Sequence, residues 1–170
     1  MKYLLILLSI FYLSGMAWAL EIKSSAFSDG ENIPAKYTCS STDVSPQLEW
    51  SDVPKGTKSF VLICDDPDAP SGDWVHWVIY NIPADQTSLE ENVSKLSRLA
   101  DDIFQGKNDF GNAGYGGPCP PPGRPHRYFF KIYALDTVLS LKERIEKKDL
   151  LEAMEGHILA EAKIMGLYKR

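Results

Sequence analysis

The chain of 170 residues carries 18 basic against 23 acidic side chains, a formal net charge of −5. An acidic chain without a basic run is poorly suited to nucleic acid or to anionic membrane surfaces, so neither is expected as a partner. A hydrophobic fraction of 44% supports a proper core, and the length fits one domain.

The N-terminal stretch reads as a targeting segment. Lys2 gives a positive start, Tyr3 to Gly15 is apolar and broken only by serines, and Ala17-Trp18-Ala19 has the small-x-small pattern of a cleavage site. This predicts a signal peptide over residues 1–19, cleaved after Ala19, and one domain over 20–170, periplasmic or secreted. The apolar run is shorter than the ~20 residues of a membrane span, so no integral span is expected after cleavage; an uncleaved anchor helix is the competing reading. Cys64 lies within an apolar strand, whereas Cys39 and Cys119 lie in loop-like sequence. In an exported chain this suggests a Cys39–Cys119 disulfide with Cys64 free, the alternative being that Cys39 and Cys119 are free thiols too.

In chain order, Glu21 to Phe27 alternates weakly as a first strand and Gln47 to Trp50 as a half-buried one. Phe60-Val61-Leu62-Ile63 is too short for a helix and branched enough for a strand buried on both faces. It runs into Cys64-Asp65-Asp66-Pro67-Asp68-Ala69-Pro70, where two prolines end strand pairing just as carboxylates begin. A rigid acidic corner at the end of a central strand is the first candidate site. Trp74 to Tyr80 forms a second long strand, ended by Pro83. A period of two places His76 with Trp74, Val78 and Tyr80, and Val75, Trp77 and Ile79 opposite.

Leu89, Val93, Leu96 and Leu99 have helical spacing and suggest a short helix within 87–99. Residues 105–123 are rich in glycine and proline, and a stretch of that length between strands is expected to be an ordered, functional loop. His126 to Leu135 is a third strong strand, with His126, Tyr128, Phe130 and Ile132 on one face and Arg127, Phe129, Lys131 and Tyr133 on the other. Arg127 is expected to pair with an acid. Lys147 to Ile164 has helical period, its stripe formed by Leu151, Met154, Ile158 and Ala162. His157 lies beside that stripe without an evident partner and reads as structural.

Asp66 and Asp68, His76, and His126 with Tyr128 arrive from three separate strand ends. Buried polar side chains cost free energy unless partnered, so two histidines on apolar strands invite a common explanation. One is an anion pocket: the imidazoles and the Tyr128 hydroxyl donate hydrogen bonds, and the Gly116-Gly117 amides form a nest. Asp66 would orient a histidine or meet the cationic part of a zwitterionic ligand. A second is a zinc centre of His76, His126 and a carboxylate, which lacks any HxH or HExxH pair. A third is that both histidines are simply satisfied in the core. No cofactor and no catalytic nucleophile is read from these residues.

The blocks Asp66-Pro67-Asp68-Ala69-Pro70 with Trp74-Val75-His76, and Tyr115-Gly116-Gly117-Pro118-Cys119-Pro120-Pro121 leading to Pro125-His126-Arg127-Tyr128, resemble the signatures of the phosphatidylethanolamine-binding protein family. More narrowly, they are similar to its bacterial Raf-kinase-inhibitor-like branch. The resemblance spans nearly the whole mature chain. It implies a mainly β fold, a Greek-key β-sandwich with a few peripheral helices including a C-terminal one. It also implies a pocket for a phosphate-bearing small molecule or phospholipid headgroup, lined by Asp66, His76, His126 and Tyr128 with Pro120 on the rim and Gly117 nearby. A cis Ala69–Pro70 bond is implied as well. Val75 stands where eukaryotic members carry a second histidine, and the Gly/Pro loop is longer, so headgroup preference does not carry over. A protein target, as in an inhibitor of a protease or kinase acting through a surface loop, is the alternative function; a metal-dependent phosphoester hydrolase is a third.

Overall fold

The computed structural model describes residues 19–170; the signal peptide expected over 1–19 lies, but for Ala19, outside them. Two antiparallel sheets pack face to face. The larger has the order β6-β4-β3-β7-β8, with β3 (Ser59–Asp66) flanked by β4 (Trp74–Pro83) and β7 (His126–Leu135), and with β6 (Phe104–Gln105) and β8 (Ile158–Tyr168) at its edges. The smaller is β1 (Glu21–Lys23), β2 (Leu48–Ser51) and β5 (Ser88–Leu89).

Every residue of β3 is buried, as its apolar run requires. Phe60, Leu62 and Cys64 pack with Ile22, Leu48, Trp50 and Phe130 between the sheets. Val61 and Ile63 face the other way, onto Val75, Val78 and Tyr80, under Leu150 and Met154 of helix α1 (Lys147–Met154). Asp65 and Asp66, at the end of β3, continue the alternation and leave the sheet on opposite faces. Cys39 and Cys119 are joined at an S–S distance of 2.09 Å, and Cys64 is a buried free thiol whose pKa burial pushes up.

Outside the candidate site, the structure departs from the sequence reading in four respects. First, β4 does not alternate simply. Cys64 pairs with Trp77 and Asp65 with Val75, so His76 is an extra residue between them. This β-bulge shifts the phase: Val75 joins Val78 and Tyr80 on the α1 side, while Trp77 faces the inter-sheet core. His76 therefore leaves the face shared with Val78 and Tyr80. Second, the C-terminal helix stops at Met154. Gly156 has φ of +78°, and from Ile158 the backbone pairs with β7 along nearly its whole length. The residues that fit a helical stripe also alternate, with Ala160, Ala162 and Ile164 inward and Glu161 and Lys163 exposed, and the otherwise bare edge of β7 decides between the two. Leu151 is exposed and Leu150 is buried in its stead. Third, residues 87–99 hold the short strand β5 and turns rather than a helix. Fourth, His157 does have a partner, Asp136, at 2.8 Å on the surface.

Candidate functional site

The acidic corner is built by its own backbone. The Asp66 side chain turns back to accept the Asp68 N–H (2.8 Å), closing an Asx-type turn at the strand end. Asp68 accepts two hydrogen bonds from the Arg127 guanidinium (2.9 and 3.0 Å) and one from the Arg127 N–H (3.0 Å), so this carboxylate secures the turn to β7. Among the described residues every peptide bond is trans, Ala69–Pro70 included. The cis bond implied by the family resemblance is absent: the Asx-type turn and the Arg127 clamp shape the corner with a trans bond.

Those Arg127 bonds, opposed by partial burial, hold the Asp68 carboxyl at about 2, against an ordinary 3.8. Its contribution to stability is complete above the ordinary value and is lost as pH falls toward about 2. Melting temperature followed from pH 4 downward should therefore fall more steeply in the wild type than in Asp68→Asn, and the two curves should converge at the acid end; parallel curves would refute this.

Asp66 reaches across to β7, where its Oδ2 accepts from His126 Nδ1 at 2.8 Å; both side chains are buried. The bulge at His76 aims the second ring to the same side. Its Nδ1 donates to the Gly116 carbonyl at 2.6 Å, and the Gly116 N–H donates back to the His76 carbonyl at 2.9 Å. The Gly/Pro loop thus runs beside the free end of β4, and Asp109 secures it by accepting the Val75 N–H (2.7 Å) while its own N–H donates to the Val75 carbonyl (2.9 Å). Burial lowers the His76 pKa, with the Gly116 carbonyl opposing.

These groups open on a cavity of about 280 Å3 lined by Asp66, His76, His126, Trp74, Phe110 and Pro120, with Ser71 and Pro70 from the corner. Asp66, His76, His126 and Pro120, four of the expected site residues, are thus brought together at one cavity. Tyr128 and Gly117 do not line the cavity. Tyr128 lies behind His76, ring to ring at 5.1 Å, its hydroxyl buried without a hydrogen-bond partner; burial, with the Asp66 charge, raises its pKa so that it stays an O–H. The expected nest is not available to a ligand, because the Gly117 N–H is spent on Asp43 (2.7 Å) and that of Gly116 on His76. Gly117 is required for close backbone approach, since a Cβ there would lie 2.4 Å from the Tyr37 carbonyl oxygen.

Sequence reading missed Trp74 and Phe110 as pocket walls. Phe110 packs edge-on against both Trp74 (5.5 Å) and His76 (5.4 Å). The shared parity of Trp74 and His76 was a usable signal for the first; nothing in the loop's composition marked the second. Phe110 and Cys119 also line a wider groove of about 720 Å3 on the far side. Among the described residues, no three His, Cys, Asp or Glu side chains converge so as to hold a metal ion. No helix there is long and apolar enough to cross a membrane.

An antiparallel sandwich carrying one small aromatic-walled pocket, with a carboxylate–histidine pair and a second histidine at its base, defines a narrow structural class. The family model for phosphatidylethanolamine-binding proteins matches residues 23–169, and the chain belongs to that family. Its relatives include UPF0098 proteins of Methanothermobacter thermautotrophicus, 58% identical over 89% of this chain and 99% of the relative, and of Aquifex aeolicus, 53% identical over 89% of each. Two solved structures superpose well. A putative phosphatidylethanolamine-binding protein homologue, CT736 of Chlamydia trachomatis, has a TM-score of 0.82 at 45% identity, covering 90% of this chain and 99% of its own. YbcL of Escherichia coli, described as a member of the mammalian family, has 0.81 at 37%, covering 89% and 98%.

Proposed function

We propose that this protein is an exported, non-enzymatic binder of a phosphate-like anion, free or carried by a small molecule or lipid headgroup, in the cavity of Asp66, His76 and His126. The observation that carries this reading is that both buried rings are anchored through Nδ1, to Asp66 and to the Gly116 carbonyl, so that their unpartnered Nε2 atoms are left for the cavity. Trp74 and Phe110 supply faces suited to the cationic part of a zwitterion. Export is supported by the sequence of residues 1–19 and by the Cys39–Cys119 disulfide, which suits an oxidising compartment. A second role, modulation of a partner protein, is favoured by the exposed Phe110 and Leu96 beside the pocket.

Titration with inorganic phosphate, followed through the ring signals of His76 and His126 by NMR, is expected to shift both along one saturating curve. Ring signals unmoved at high phosphate would overturn the reading.

A further inference from the structure

The cavity base offers an unusual set of donors and acceptors for an anion. The Gly116 carbonyl can only accept, so His76 Nδ1 carries the proton of that 2.6 Å bond. In the neutral ring, which burial favours, Nε2 is then a bare lone pair turned toward the cavity. His126 differs. Its Nδ1 proton lies against a carboxylate, and when a second proton is present the ring is an ion-paired imidazolium whose Nε2–H is free to donate. The remaining charged group in the lining is Asp66, and the cavity wall contains no lysine or arginine. Outside the wall, Asp109 near His76 adds a negative charge and Arg170, which donates to the Pro120 carbonyl, a positive one.

An oxyanion with no hydrogen would therefore put oxygen lone pairs against the lone pair of His76, and the other ring, His126, is already bonded to the Asp66 carboxylate. An oxyanion that keeps one O–H would donate it to His76 Nε2 and accept from His126 Nε2–H.

We infer that the pocket selects a hydrogen-bearing phosphate, either inorganic phosphate or a phosphate monoester in its monoanionic form, over hydrogen-free anions such as sulfate or a phosphodiester. This rests on the anion-binding reading above and sharpens it. A phosphodiester is the form in which phosphate occurs in a phospholipid headgroup, so the inference separates two sources of the same chemistry.

The test is calorimetric titration of the whole mature protein at pH 6 with four probes: inorganic phosphate, sulfate, dimethyl phosphate and glycerophosphoethanolamine. Phosphate is expected to bind at least tenfold more tightly than each of the other three, because a buried acceptor left facing a lone pair loses its bond and its solvation together. Sulfate or either diester binding within tenfold of phosphate overturns the inference while leaving the anion-binding reading intact. Binding of none of the four overturns both. A second measurement needs no variant: the 15N signal of His76 Nε2 should lie in the unprotonated range in the free protein and move on adding phosphate. A protonated Nε2 in the free protein at pH 6 would also overturn the inference.

Discussion

Replacing Asp65 with alanine should destabilise the protein by about 3 kcal/mol, the lower end of the range for breaking a buried ion pair from one side. Asp65 is fully buried, and its Oδ2 accepts from Lys131 Nζ (2.7 Å) on β7 and from Lys147 Nζ (2.6 Å) at the start of α1. Lys147 also pairs with Asp73 in the turn before β4. One carboxylate thus gathers a neighbouring strand and the helix that covers the sheet. Its other oxygen, Oδ1, is buried without a partner, so the cluster already carries some desolvation cost. Removing the carboxylate would leave the Lys131 ammonium unpaired and Lys147 with Asp73 alone. Lys131 is partly exposed and can turn to water, which is why the lower end applies. Urea denaturation with an unchanged slope would measure the loss, and a loss under 1 kcal/mol would show that the cluster does not hold the helix. Changing Asp65 to leucine together with both lysines to methionine should recover most of the stability, since apolar replacement of a whole buried cluster is often neutral or better.

The second large effect is expected at the disulfide. Cys39 and Cys119 are 80 residues apart in sequence, and a cross-link closing a loop of that length restricts the unfolded chain by about 4 kcal/mol in the chain-entropy account. Cys39→Ser, or a thiol reductant added to the wild type, should lower stability by an amount of that order in chemical denaturation. Reductant should have no effect on the serine variant. Because Cys119 lines both the candidate-site cavity and the adjoining groove, the proposed phosphate binding should weaken as well. Equal stability with and without reductant, in protein shown by mass to be oxidised, would refute the prediction.

The parts of this molecule that were legible in the sequence are those governed by local rules. The apolar run of β3, the prolines that end it, the face assignment of β7 and the placing of Asp66, His76, His126 and Pro120 at one pocket all follow from patterning or from the family blocks. So does the turning of Arg127 away from His126 toward an acid, which the structure identifies as Asp68. The rest depends on tertiary pairing. Whether Ile158 to Tyr168 is helix or strand turns on the exposed edge of β7, which no window of that segment contains. The bulge at His76 arises because Asp65 and Cys64 pair with Val75 and Trp77, a register that alternation within β4 cannot reveal. Gly116 and Gly117 looked like anion-binding amides because glycine permits that geometry, yet it equally permits the close packing that is found, of Gly117 on the Tyr37 and Thr38 backbone and of Gly116 on the Phe110 ring. Tyr128 has the right parity for the pocket but lies behind His76, a matter of depth that parity does not encode.

The divergence of Asp65 and Asp66 bears on how this chain tolerates insertions and deletions. Adjacent carboxylates on one strand serve opposite faces: the first anchors α1 through lysines, the second orients the histidine of the pocket. Deleting a single residue between Ser59 and Cys64 would carry Asp66 away from His126 into the place of Asp65 between the two lysines, and would bury Asp65 in the apolar core where Cys64 now lies. Point changes along this segment can be graded in severity, whereas a change of length there removes structural and functional carboxylates together.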